Sequence, residues 1–213
     1  MDILYKDKNY VVCIKPSGVP SQQAPNSKTT MLTLLEQELH QPVYPVHRLD
    51  KPVAGLIVYA CTKQAADALC QAMQQGNFHK EYYAILKGIP KESTGRLQDL
   101  LYHDQHRNKT YVVKKKRNGV RTAILEYETL AQDGESSLVR VRLLTGRTHQ
   151  IRVQFASRGL PLVGDGTYGG GSGQIGLWCG KLTFPDPETA TEKEFALAPP
   201  CVAPFDRFIP VKD

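Results

Sequence analysis

Apolar and polar positions along this chain switch between a two-residue and a 3.6-residue period, and the switch points divide it into elements. Residues 10–16, YVVCIKP, form an apolar run that ends where Lys15-Pro16-Ser17-Gly18 imposes a turn, so a short strand is expected. Residues 29–39, TTMLTLLEQEL, place Met31, Leu34, Leu35 and Leu39 on one helical stripe. Residues 55–60, GLIVYA, are continuously apolar, as in a strand buried on both faces. Residues 62–76 predict a helix: Thr62 as N-cap, Ala65, Ala66, Leu69, Ala72 and Met73 as the apolar face, and Gly76 at the stop. KEYYAILKG, residues 80–88, alternates like a strand. A polar, basic stretch from Tyr102 to Arg121 carries no clear period. RTAILEYETLA and SSLVRVRLLTG then predict two strands joined by the turn QDGE. RTHQIRVQFASRG, residues 147–159, predicts a helix stopped by Gly159. The rest is rich in Gly and Pro, with a loop at GGGSG and one strand around GLWCGKLTF.

Strands and helices neither alternate strictly nor segregate. The pattern predicts an α+β fold with a large mixed, mainly antiparallel central sheet and flanking helices and loops. The 213 residues suffice for a single domain over 1–213, with one core or two lobes. Lys and Arg exceed Asp and Glu by 27 − 21 = +6. This basic excess is compatible with a nucleic-acid partner without demanding one. The five cysteines include no C-x-x-C pair, which argues against a disulfide framework or zinc site and for a reducing cytoplasm. No apolar run approaches the ~20 residues a bilayer crossing needs, and the first residues have no leader design. A cytoplasmic monomer with no membrane association is expected.

Four constellations carry candidate chemistry: KPSG (15–18), HRLDKPVAG (47–55), KEYYAILKG (80–88), and GRTHQIR (146–152) followed by GLPLVGDGTYGG (159–170). Asp50 reads either as a turn aspartate paired with Arg48 or Lys51, or as a catalytic carboxylate at the mouth of a buried strand. On a strand, Tyr82, Ala84 and Leu86 share one face and Tyr83, Ile85 and Lys87 the other, so either tyrosine could be core. Asp165 could be a second carboxylate, but its VGDGTYG setting reads more as a turn that shapes a site. His47, Asp50 and His149 match no metal-ligand spacing, and no metal or cofactor is expected. The segment 107–121 holds Lys114, Lys115, Lys116 and Arg117 in one run, a solvated surface or a set of phosphate contacts.

These blocks, in this order, resemble the RluA-type RNA pseudouridine synthases. VHRLDKPVAGLIVYA resembles the family's H-R-L-D…G block, and TGRTHQIRVQFASRGLPLVGDGTYG its G-R-T/S-H-Q-I/L-R…G-D…Y block. VVCIKPSGVP, KEYYAILKG, LTFPDPE and FALAPP resemble the family's remaining segments. The resemblance implies a pseudouridine-synthase catalytic domain with a central RNA-binding cleft, in the form without an N-terminal S4 domain. The implied substrate is rRNA or tRNA, with the target uridine flipped out. Asp50 is then the catalytic carboxylate, Arg147 the cation that ion-pairs it, and Tyr82 the ring that stacks on uracil. Arg48 is implied to fill the gap left by the flipped base. Ile151 reads as an apolar wall for uracil or a core residue, and His47 as structural or a phosphate contact. His149 sits beside Arg147, and Lys15 is a further candidate phosphate contact. Two positions depart from the family pattern. Val53-Ala54 stands where Thr-Ser or Ser-Ser is usual, and Trp178-Cys179 where His-Ala is common. Two other function classes compete. One is a catalytically silent RNA-binding or ribosome-assembly protein that keeps the fold. The other is a glycosidase or metal hydrolase, which lacks its second carboxylate and its ligand spacing.

Overall fold

The computed structural model describes residues 2–23 and 27–208. In chain order the elements are β1 (Ile3–Lys6), β2 (Tyr10–Lys15), α1 (Met31–Leu39), β3 (Tyr44–Pro45), β4 (Ala54–Ala60), α2 (Lys63–Gln74) and β5 (His79–Lys87). They continue with β6 (Thr94–Asp104), β7 (Lys109–Val113), β8 (Val120–Gln132), β9 (Ser136–Leu143), α3 (Gln150–Ala156), β10 (Leu177–Pro185), β11 (Glu192–Ala196) and a 3-10 turn (Phe205–Arg207). This is the expected α+β class, with a mixed sheet that is mostly antiparallel. The residues fall into two compact units: Met1–Lys80 with Trp178–Ala198, and Glu81–Leu177 with Pro199–Asp213.

The first unit is built around β4. Every residue of β4 is buried, as its unbroken apolar sequence requires. It pairs antiparallel with β2 along one edge and parallel with β10 at Ala54–Trp178 and Gly55–Cys179. Gly55 sits at φ +119, and a Cβ there would overlap the Cys179 backbone, so glycine is demanded twice over. Helix α1 starts at a capping box between Thr30 and Thr33, and α2 is capped by the Thr62 hydroxyl as its sequence predicts. Tyr10, Phe78, Phe184 and Phe195 pack edge-to-face and stacked beneath the sheet.

The second unit orders its strands β5-β9-β8-β6-β7. Strand β7 lies within the polar, basic stretch from Tyr102 to Arg121, and β6 lies mostly before it, where no element is predicted. Their alternation is masked because the core-facing row of β6 is Leu97, Asp99, Leu101 and His103, half of it polar. Asp99 is accommodated there by Arg158 and Gln154, at 2.9 and 2.7 Å. Strands β1 and β11 also escape the sequence reading; their residues alternate between exposed and half-buried. Helix α3 is shorter than predicted. His149 takes a left-handed conformation (φ 55), so 147–149 form a loop and the helix begins at Gln150.

The demand at Gly55 gives a direct test. Gly55→Ala combines a left-handed penalty with overlap against a sheet backbone, and is expected to lower stability by about 3 kcal/mol or more. Urea unfolding of the purified variant measures it; a loss below about 1 kcal/mol would contradict the packing described.

Candidate active site

In the first unit the candidate residues gather on one turn. Residues 46–53 place His47 inside, Arg48 out, Leu49 inside and Asp50 half-buried, just before β4 begins. The turn closes on itself through Val53 N–H donating to the Asp50 carbonyl at 3.0 Å. It is gripped by the segment that follows β2. Gly18 N–H donates to the Lys51 carbonyl (2.9 Å) and the Ser17 hydroxyl to the Pro52 carbonyl (2.8 Å). Ser21 both accepts from Leu49 N–H (3.0 Å) and donates to the Leu49 carbonyl (2.9 Å).

Lys15 completes the grip and corrects its expected role. It is fully buried, and its ammonium donates to the carbonyls of Pro16 (2.9 Å), Val19 (2.7 Å) and Lys51 (3.1 Å). An ammonium has three protons, and all three are spent inside the protein, so Lys15 braces the Asp50 turn and does not reach a phosphate. Burial pushes it down to about 8, and the Asp50 carboxylate opposes that shift. His47 is likewise internal. Its Nε2 accepts from Val58 N–H at 3.3 Å, its Nδ1 is buried, and burial together with nearby Lys80 holds it well below the ordinary imidazole range. It is a neutral structural histidine rather than a phosphate contact. Arg48 and Lys51 are the exposed basic residues of this turn, whereas His47 and the Lys15 that braces it are buried.

The second unit holds Tyr82, Arg147, His149, Ile151 and the basic segment. Tyr82 is 5% exposed on β5, whereas Tyr83 is half-buried. Arg147 lies exposed on the loop before α3, with its Nε donating to the Thr122 carbonyl at 3.0 Å. That loop is folded by Gln150, whose side chain imitates a peptide group. Its oxygen accepts from Arg147 N–H (3.0 Å) and the Thr145 hydroxyl (2.8 Å), and its nitrogen donates to the Ile124 carbonyl (3.0 Å). Ile151 is buried at 4% exposure and Lys114 to Arg117 are exposed. His149 is buried with its Nδ1 3.0 Å from the Tyr168 hydroxyl.

Two groups of this unit organise its loops, Asp165 in the turn-shaping role its sequence setting favours and Tyr168, which the sequence reading passes over. Asp165 is 2% exposed and both its oxygens take a bidentate fork from Arg152, at 2.7 and 2.8 Å. It is the turn-shaping residue, not a second reacting carboxylate. Tyr168 ties three segments together: its hydroxyl receives Thr110 N–H (2.8 Å), donates to the Thr110 carbonyl (3.1 Å) and meets His149. The D-G-x-Y spacing within 165–168 was the available signal. Among the described residues no group of three or more His, Cys, Asp and Glu is arranged to hold a metal ion, and no helix is long and apolar enough to cross a membrane.

Compared with known proteins, residues 9–157 match the family described as RNA pseudouridylate synthase. The chain belongs to this family. Relatives include the RNA pseudouridine synthase YhcT of Bacillus subtilis, 34% identical over 181 residues, covering 81% of this chain and 59% of that protein. Another is ribosomal large subunit pseudouridine synthase D of Borreliella burgdorferi, 30% identical and covering 81% and 56%. The chain thus spans little more than half the length of these relatives. It spans 82% of the dual-specificity RNA pseudouridine synthase RluA of Yersinia pestis, with 79% of this chain aligned at 34% identity. Among solved structures, human RNA pseudouridylate synthase domain containing 4 shares the fold, with a TM-score of 0.78 at 24% identity over 93% of this chain and 88% of that one.

Against the pseudouridine synthase pattern, the two departures turn out to be neighbours. Val53 and Ala54 are buried at 2% and 7% exposure, and Ala54 and Gly55 face Trp178 and Cys179 across the parallel β4–β10 ladder. Apolar residues occupy both sides of one dry contact, and Trp178 sends its indole N–H to the Leu197 carbonyl at 2.9 Å.

Two outcomes follow from these contacts. Lys15→Met leaves three inward carbonyls without their donor and is expected to cost about 3 kcal/mol near neutral pH. With the ammonium pushed down to about 8, the folded state binds that proton less tightly than the unfolded chain. The burial cost is therefore full below pH 8, and wild-type stability rises relative to Lys15→Met between about pH 8 and 10.5. Urea melts at several pH values read both effects. Asp165→Asn removes the negative partner of the buried Arg152 guanidinium and is expected to cost about 3 kcal/mol or more; a change under about 1 kcal/mol in the same assay would refute the buried pairing.

Proposed function

We propose that this protein isomerises specific uridines in structured rRNA or tRNA to pseudouridine in the cytoplasm, with Asp50 as its catalytic carboxylate. The observation that carries the reading is the Asp50 turn: Asp50 is half-buried on a turn whose backbone is held by Lys15, Ser17, Gly18 and Ser21, with Arg48 exposed beside it. Membership in the pseudouridylate synthase family supports it.

The reaction breaks the bond between uracil N1 and ribose C1′ and makes one between C5 and C1′. The proton lost from C5 is matched by one gained at N1, so no co-reactant is consumed. An ionised carboxylate serves this chemistry by attacking C1′ or by removing the C2′ proton; both routes need one carboxylate and the exclusion of water. Arg147 is assigned as the cation that ion-pairs and orients the Asp50 carboxylate. Tyr82 is assigned the uracil face, because a π surface holds a turning ring without fixing one hydrogen-bond direction. Arg48 takes the place of the flipped base, offsetting an unstacking cost of about a few kcal/mol. Ile151 walls the base and His149 supports the Arg147 loop. Lys114, Lys115, Lys116 and Arg117 contact phosphates. These assignments apply over the whole chain as one catalytic domain.

Pseudouridine mapping of rRNA and tRNA in a deletion strain complemented with wild type or Asp50→Ala tests this. Wild type is expected to restore a missing site, and Asp50→Ala to fall at least about 10³-fold short in rate on that RNA in vitro. Modification maps unchanged by deletion would sink the reading. Tight RNA binding by wild type without any conversion would favour the silent RNA-binding protein instead.

A further inference from the structure

The β6–β7 pair has two faces of different character. Leu101 and His103 with Val112 and Thr110 form one face. It is the α3 side: Leu101 is 3% exposed beside Val153, and the Thr110 hydroxyl donates to the Thr148 carbonyl at 2.9 Å. The other face pairs Leu100 with Val113, Tyr102 with Tyr111, and Asp104 with Lys109. Its two tyrosines are cross-strand partners on strands spaced about 4.8 Å apart, and both are half-buried rather than buried.

Cations frame these rings. The Arg117 guanidinium lies 4.9 Å from the centroid of the Tyr102 ring. The Lys109 ammonium lies 5.9 Å from that of Tyr111. Lys114, Lys115 and Lys116 are exposed on the connection from β7 to β8, and residues 107–121 contain no Asp or Glu. Half-open aromatic rings beside a continuous positive charge suit one kind of ligand: unpaired bases on a phosphate backbone. A duplex keeps its bases stacked inside and would use only the cations.

We propose that this face of β6 and β7, centred on Tyr102 and Tyr111, is a docking surface for a single-stranded stretch of the RNA substrate. The rings and the Arg117 plane stack on bases while Lys114 to Lys116 follow the phosphates. The inference rests on the pseudouridine synthase reading and adds to it where the enzyme grips RNA away from the reacting uridine.

The test measures binding of a fluorescent 12-nucleotide single-stranded RNA and of a 12-base-pair duplex RNA to purified full-length protein. Tyr102→Leu and Tyr111→Leu keep apolar volume and remove the ring; Tyr→Phe at each position keeps it. Each Leu variant is expected to weaken single-strand binding about 5- to 100-fold with the salt dependence unchanged. The Phe variants are expected to stay within about threefold, and Lys115→Gln with Lys116→Gln to flatten the salt slope by about 1.4. Circular dichroism melts of each variant verify folding before binding is read. Single-strand binding unchanged in the Leu variants, lost equally in the Phe variants, or no tighter than duplex binding would overturn the proposal. Pseudouridine formation on cellular RNA is scored alongside. A wild type that binds single strands through these tyrosines but converts no uridine sinks the enzyme reading and leaves the surface. A wild type that converts uridine, with unchanged KM in the Leu variants, sinks the surface and leaves the enzyme.

Discussion

A buried ammonium surrounded by backbone carbonyls is the constraint on which the first unit's chemistry depends. Lys15 has no exposed surface, so its three protons must be satisfied by the chain, and the chain must bend to present three carbonyls to it. Two of those carbonyls come from its own turn and one from Lys51. The last crosses from the KPSG turn to the Asp50 turn, and with Gly18, Ser17 and Ser21 it converts two loops into one rigid body. The catalytic role proposed for Asp50 needs that rigidity, because a small misplacement of a reacting group is costly. The clamp spends backbone carbonyls rather than side chains, which leaves the Arg48 side chain out in solvent.

The second unit solves the equivalent problem with side-chain mimicry. The Arg147 loop cannot be helical, because His149 is left-handed, so its backbone groups need other partners. Gln150 supplies an acceptor and a donor in one amide, and Thr145 completes the set at Ile124. The Arg152–Asp165 fork then fixes the following glycine-rich loop, and Tyr168 carries that order outward to β7 through both backbone groups of Thr110. The Arg147 loop and the β6–β7 hairpin thus share a single hydroxyl at their junction.

The sequence made legible whatever rests on periodicity or on an unambiguous stop. The core strands β2 and β4, the helix α2 with its Thr62 cap, and the β8–β9 hairpin all follow from apolar spacing. Strand β6 did not, because Asp99 occupies an inward position that only a tertiary partner makes tolerable, and β7 lies in a short run set among basic residues. The helix start at Gln150 was hidden for a related reason: nothing local tells a histidine to go left-handed. Lys15 shows the sharpest divergence. Its type and its basic context pointed outward, and only the three converging carbonyls show that it points in. The motif positions were readable as a set, whereas the division of labour within the set depended on burial.

The Val53-Ala54 departure was the weakest point of the sequence, since two hydroxyls that could brace the Asp50 turn are missing. The structure supplies a physical reason that their loss is tolerable. The turn is braced from the other side by Lys15, Ser17, Gly18 and Ser21, and Val53 still contributes its backbone N–H to the Asp50 carbonyl. What Val53 and Ala54 contribute instead is dryness. Ala54 faces Trp178 and Gly55 faces Cys179 across the ladder, and Val53 is buried just before them, so no side-chain hydroxyl stands at these positions. A buried hydroxyl opposite an indole would cost more than the methyl that replaces it. The two departures therefore meet where Ala54 faces Trp178 at the start of β4, and they leave intact the backbone hydrogen bonds that hold the Asp50 turn.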